Sequence, residues 1–130
     1  MTVKFTIPGE PVGKGRPRVT KKGTFTPEKT VNYENLVKIT YPGKMLEGEL
    51  EIVVKAFYSI PKSASKKKTE QMLNGQIRPT KKPDCDNVLK IITDALNKIA
   101  YNDDNQIVRA VVEKYYSPYP RVEVELREVG

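Results

Sequence analysis

The chain contains no histidine and a single cysteine among its 130 residues. Without imidazole there is no Ser-His or Cys-His nucleophile, no Cys/His zinc finger and no histidine-dependent metal nuclease, because each relies on that ring or on several thiolates. One thiol also excludes an internal disulfide. No apolar run approaches the roughly 20 residues that a membrane-spanning helix requires. The opening "MTVKFTIPGEPVGK" lacks the apolar stretch of a secretory leader, so a cytoplasmic protein with no membrane partner is expected. Acid–base or metal chemistry is left to carboxylates, lysines, tyrosines and bound water.

Positive charge is what the chain has in excess. Lys and Arg number 23 against 16 Asp and Glu, for a net charge of +7 and a pI near 9.4. That balance points to a polyanionic partner such as nucleic acid, or else to a basic surface kept only for solubility. The length suits one domain, 1–130, with a core of its own.

"TVKFTIPG" alternates and stops at Pro8-Gly9, which predicts a strand. "EPVGKGRPRVTKKGTF" is rich in Gly, Pro and cations. It is not a phosphate-binding P-loop, since no Ser or Thr follows a Gly-Lys pair and no helix opens there. It reads as a basic arm, with Lys14, Arg16, Arg18, Lys21 and Lys22 lying along a phosphate backbone, or equally as a cationic turn. Thr26 as N-cap, Pro27 at the first helical position and Glu28 in the first turn predict a helix that ends at Pro42-Gly43. In "GELEIVVKAFYSIP", Leu50, Ile52, Val54 and Ala56 alternate with Glu49, Glu51, Val53 and Lys55, the pattern of a half-buried strand. Residues 61–82 form an insertion where Ser65 could cap a short helix ending near Gly75. With Lys66, Lys67, Lys68, Arg78, Lys81 and Lys82 it is the most basic part of the chain, and these side chains are expected to grip backbone phosphates of DNA. "QIVRAVVEKYY" and "RVEVELREV", joined by "SPYP", predict two strands linked by a short turn. The order strand, helix, strand, helix, strand, strand implies an α+β fold, with a mixed sheet packed on one side by two main helices.

Against this background "KPDCDNVLKIITDALNKIAYNDD", residues 82–104, gathers acids tightly. A helix from about Asp86 to Ile99 puts Val88, Ile91, Ile92, Ala95, Leu96 and Ile99 on one stripe and Asp86, Lys90, Asp94 and Asn97 on the other. Clustered carboxylates repel one another unless a cation sits among them, and Mg²⁺ is the hard cation that suits them. Each acid also has an ordinary explanation: Asp86 as N-cap, Asp86, Lys90, Asp94 and Lys98 as a helical charge ladder, "NDDN" as a turn. Asp84 is surplus to that account. Spacing by itself does not put Asp104, beyond the far end of the helix, beside Asp84 and Asp86. "DCDNV" fits the D-x-D-x-[TV] loop of haloacid-dehalogenase-like phosphatases, but "RPTKKP" precedes it where a buried strand belongs. No Asp or Glu has a Lys two residues later, so the PD-(D/E)xK nuclease signature is absent. The EF-hand loop fails for want of its glycine and final glutamate.

The combination "DCDN", Lys90, "DAL" and "DDNQ" resembles the signature of the RusA-type crossover junction endodeoxyribonucleases. "PVGKGRPRVTKKGTFTPEKTVNYE" and "RPTKKP" are similar to the prophage-like branch of that family. The resemblance implies a RusA-like fold and a homodimer that makes paired cuts in four-way (Holliday) junctions during DNA recombination and repair. It also implies dependence on Mg²⁺, with Mn²⁺ able to substitute. Carried over by position, the family's metal-binding aspartates fall on Asp84, Asp86 and Asp104, with Asp103 the other member of the pair, and its essential lysine falls on Lys90. Where some relatives carry a basic residue before the first aspartate this chain has Pro83, which leaves Lys81 and Lys82 to meet DNA. The competing expectation is a non-catalytic basic nucleic-acid-binding module.

Overall fold

The computed structural model describes residues 1–15 and 18–130, with the side chain of Arg18 left aside. The DNA contacts expected of Arg16 and Arg18 therefore lie outside the described residues. The elements run β1 (Thr2–Pro8), β2 (Arg18–Thr20), β3 (Gly23–Phe25), α1 (Glu28–Thr40), β4 (Leu50–Ser59), α2 (Lys66–Leu73) and α3 (Cys85–Leu96). A 3-10 turn (Asp104–Gln106), β5 (Ile107–Ser117) and β6 (Arg121–Glu128) follow. This is the expected α+β arrangement, with a mixed sheet and three helices.

The sheet has the order β1-β6-β4-β5, while β2 and β3 pair separately as a small ribbon. Apolar alternation fixes the register. Val3, Phe5 and Ile7 face Leu126, Val124 and Val122, which in turn face Ile52, Val54 and Ala56. A slip of one residue would turn all of these to solvent. Val37 and Tyr33 of α1, and Val88, Ile91, Ile92, Ala95 and Leu96 of α3, close over this layer to form one core.

The turn "SPYP" does not make a hairpin. β5 pairs with β4 in parallel and β6 pairs with β4 antiparallel, so β4 lies between two strands that are consecutive in sequence. β4, with Leu50, Ile52, Val54, Ala56 and Tyr58 all buried, is the strand best suited to the centre, and both C-terminal strands take an edge of it. Crossing from one edge of β4 to the other is guided by a stack: Arg121 lies over the Phe57 ring at 3.9 Å, Phe57 stacks on Tyr115, and Arg78 covers Tyr115 at 4.3 Å.

Helix ends also differ from expectation. Pro27, not Thr26, occupies the cap position of α1, and no side chain among the described residues caps it. Asp84, not Asp86, occupies the cap position of α3, and α3 stops at Leu96 because Lys98 takes a left-handed φ of 68°. Ile99 still packs on the core from the turn beyond. Ser65 caps α2 as expected, accepting from the Lys68 N–H at 3.2 Å.

Candidate active site

The approach to Asp84 is held from below. Tyr58, at the end of β4, donates its hydroxyl to the Pro83 carbonyl at 2.6 Å. Lys114 of β5 donates to the Lys81 carbonyl at 2.7 Å, and Arg78 donates to the Lys114 carbonyl at 2.8 Å. On the other side the loop Pro11–Gly15 crosses the start of α3, with the Lys14 N–H donating to the Asn87 carbonyl at 3.0 Å. A cleft of about 720 Å³ opens between these parts, lined among others by Gly13, Lys29, Lys82, Pro83 and Asp84.

Asp84 and Asp86 are both exposed at the mouth of α3. Asp84 sits where a capping side chain belongs, yet its carboxylate makes no cap hydrogen bond. Both ion pairs of α3 found among the described residues go to Asp94. Among the described residues, then, these two carboxylates two residues apart have no ion-pair or cap partner, and they lie within reach of the helix's positive end. The explanation of Asp86 as a cap does not survive.

Asp103 and Asp104 have different tasks. The Asp103 carboxylate accepts from the Asn105 N–H at 2.9 Å, and Gln106 reaches back to the Asn102 and Asp103 N–H groups at 3.0 Å each. That is a capping box, which commits one Asp103 oxygen to its own turn. Asp104 is positioned by Asn97, the cap residue at the far end of α3, which accepts the Asp104 N–H at 2.9 Å.

Asp84 and Asp104 do not meet in one chain. The thirteen steps from Asp84 to Asn97 span about 20 Å at helical rise. β5 supplies a second ruler: it starts beside Asp104 and reaches Lys81 at Lys114, roughly 23 Å of extended strand. Among the described residues no three acidic or thiol side chains converge as a metal-binding group.

The expected DNA contacts divide. Lys21, Lys22, Lys66, Lys67, Lys68, Lys81 and Lys82 are exposed. Lys14 is turned inward, its ammonium 3.0 Å from Glu34 and 3.2 Å from Asp94, so the basic-arm reading of Lys14 is corrected. Burial lowers its pKa, but the hydrogen bonds and charges of Glu34 and Asp94 outweigh burial, and the net shift is upward from 10.5. Arg78, though exposed, is engaged by the Lys114 carbonyl and the Tyr115 ring. Sequence reasoning missed Tyr58, Asn97 and Glu34. Only Asn97, ending a helix just before "YNDD", carried a local signal.

This chain belongs to the RusA endodeoxyribonuclease family: the model of that family, Endodeoxyribonuclease RusA, matches residues 8–127. Membership makes it a nuclease of a family that acts on branched DNA and is typically dependent on a divalent metal. It is also 42% identical over 138 residues to "Uncharacterized protein YqaN" of Bacillus subtilis (strain 168), across 98% of this chain and 97% of that relative. Among the described residues no helix is long and apolar enough to cross a membrane.

Proposed function

We propose that the protein is a Mg²⁺-dependent endonuclease that resolves four-way junctions by paired phosphodiester cuts, acting as a cytoplasmic homodimer in DNA recombination and repair. The observation that carries this reading is the uncommitted pair Asp84 and Asp86 set in a cationic surface. Their hard oxygen donors fit Mg²⁺, which commonly takes one or two carboxylates together with water and substrate phosphate. Mn²⁺, with similar ligand preferences, serves in its place. A bound ion supplies an activated water and neutralises charge on the phosphoryl group.

Asp84 and Asp86 hold the ion, and Lys90, exposed one turn after Asp86, offers its ammonium to the phosphate under attack. Asp104 is the third acid. Because one chain holds it about 20 Å from Asp84, at helical rise over the intervening residues, a site that uses all three takes Asp104 from the second copy. A two-fold dimer then carries two sites, as paired cuts in a two-fold junction require. Lys66, Lys67 and Lys68 fill the first turn of α2, where the helix dipole disfavours cations. A polyanionic partner gives a reason for them, and with Lys21, Lys22, Lys81 and Lys82 they grip the phosphate backbone.

The test uses labelled four-way junction, flap and linear duplex, each with and without Mg²⁺. Junction cleavage that needs Mg²⁺ is expected, and Asp86→Asn should abolish it while binding stays intact or tightens. Salt-sensitive binding with no Mg²⁺-dependent product means a non-catalytic nucleic-acid-binding module instead. Cleavage by Asp86→Asn at near wild-type rate removes Asp86 from the site.

A further inference from the structure

Four charged side chains form a row from α1 to the outer face of α3. Lys14 bridges Glu34 at 3.0 Å and Asp94 at 3.2 Å, and the Lys90 ammonium lies 3.3 Å from the same Asp94 oxygen. The side chains of Glu34, Lys14 and Asp94 are 16%, 22% and 21% exposed, whereas that of Lys90 is 62% exposed. Three members are therefore largely enclosed, and the fourth is paired but open to solvent.

Helix energetics do not account for the Asp94–Lys90 contact. Asp94 lies in the last turn of α3, where the dipole disfavours an acid. Lys90 followed by Asp94 is the weaker order for an i, i+4 pair, and the stronger order, acid before base, is Asp86 followed by Lys90. Helical side chains also lean toward the N-terminus, which would carry Lys90 to Asp86. Lys90 nevertheless pairs with Asp94. What distinguishes Asp94 from Asp86 among the described residues is its contact with Lys14, which is anchored through its own N–H on the Asn87 carbonyl and flanked by two glycines that pass close to their neighbours. A Cβ on Gly13 would lie 2.7 Å from Pro83, and one on Gly15 would lie 2.7 Å from the Thr30 hydroxyl. Lys14 fixes the Asp94 carboxylate, and that carboxylate holds Lys90.

We propose that Asp94, braced by Lys14 and Glu34, is a positioning residue that holds Lys90 away from Asp86 and so keeps the Asp84–Asp86 carboxylates free for a divalent cation. This rests on the reading that those two aspartates bind metal. When Asp94 loses its charge, Lys90 swings one turn back onto Asp86 and competes with the ion.

The test is Mn²⁺ binding to the full-length protein without DNA, by titration calorimetry or electron paramagnetic resonance. Asp94→Asn should weaken Mn²⁺ binding about tenfold, the range found when a residue supporting a metal ligand is lost. Adding Lys90→Met to Asp94→Asn should restore Mn²⁺ binding, because the competing ammonium is gone. Wild-type affinity in Asp94→Asn, or a double variant as weak as the single one, overturns the proposal. Asp86→Asn is measured alongside. If it leaves Mn²⁺ binding unchanged, the metal reading itself is wrong; if it abolishes binding while Asp94→Asn does not weaken it, only the positioning role fails.

Discussion

Replacing Gly13 by alanine tests how the N-terminal loop supports the site. The added Cβ would lie 2.7 Å from the Pro83 Cβ and 3.1 Å from the Asn87 Cβ, whereas carbon atoms rest at about 3.5–4.0 Å. Neither neighbour yields easily: one is a proline ring whose carbonyl is held by Tyr58, the other sits on the first turn of α3. Relief requires the loop to lift from the helix, straining the Lys14 N–H bond to Asn87, or Pro83 to move. Overpacking of this size costs about 1–3 kcal/mol, which lowers the melting midpoint by about 4–10 °C in a chain of this length. Asp84 follows Pro83 directly, so the displacement reaches a proposed metal ligand, and misplacement approaching 1 Å can cost up to about a hundredfold in rate. Gly15→Ala is the control. Its Cβ would meet the Thr30 hydroxyl at 2.7 Å and Pro27 at 3.1 Å, at the start of α1, so it should lose comparable stability but a smaller part of its cleavage rate per folded molecule, since it does not push on Pro83 beside Asp84. Thermal melts and single-turnover junction cleavage read both effects. If Gly13→Ala melts and cuts like the wild type, the support assigned to this loop is wrong.

Other expectations concern single groups. The Tyr33 hydroxyl is buried with no hydrogen-bond partner among the described residues, and burial raises its pKa. Tyr33→Phe should therefore be neutral or stabilising by up to about 1 kcal/mol in chemical denaturation. Lys14→Met leaves Glu34 and Asp94 facing each other without their shared cation and should destabilise by about 1–3 kcal/mol at neutral pH. Because the native pKa of Lys14 is raised above 10.5, its contribution is complete below that value. The gap between wild type and variant should then shrink as pH rises through the native pKa. Changing Lys66, Lys67 and Lys68 together to alanine should flatten the slope of log affinity against log salt by about 2–3, since each phosphate contact contributes about 0.9.

The fold was legible where a residue's neighbours lie close in sequence. Alternation in β1, β4 and β6, and the apolar stripe of α3, follow from burying one face, and that rule acts within a few residues. The partner of β5 was not legible, because "SPYP" is as short as a hairpin turn and only competition for both edges of β4 separates β5 from β6. Lys14 was misread for a related reason. Its sequence neighbours are glycines, prolines and cations, whereas its structural neighbours, Glu34 and Asp94, come from two helices. Asp84 stood out as surplus in the sequence while Asp86 passed for a helix cap; in the structure Asp84 takes the cap position without a cap hydrogen bond, so neither acid is explained by capping. The separate tasks of Asp103 and Asp104 became visible only through the hydrogen bonds of Gln106 and Asn97.

The claim that most needs testing is that each active site is assembled from opposite ends of α3 in two copies of the chain. Purified Asp86→Asn and Asp104→Asn proteins, each inactive alone, are mixed in equal amounts, allowed to exchange subunits, and given labelled four-way junction with Mg²⁺. In each mixed dimer one site inherits both lesions and the other inherits neither, so roughly a quarter of wild-type nicking should return as single cuts. A mixture of Asp84→Asn with Asp86→Asn should recover nothing. If the first mixture stays as inactive as its components although subunit exchange is demonstrated, Asp104 does not complete the site of the other copy, and the two-chain site is refuted.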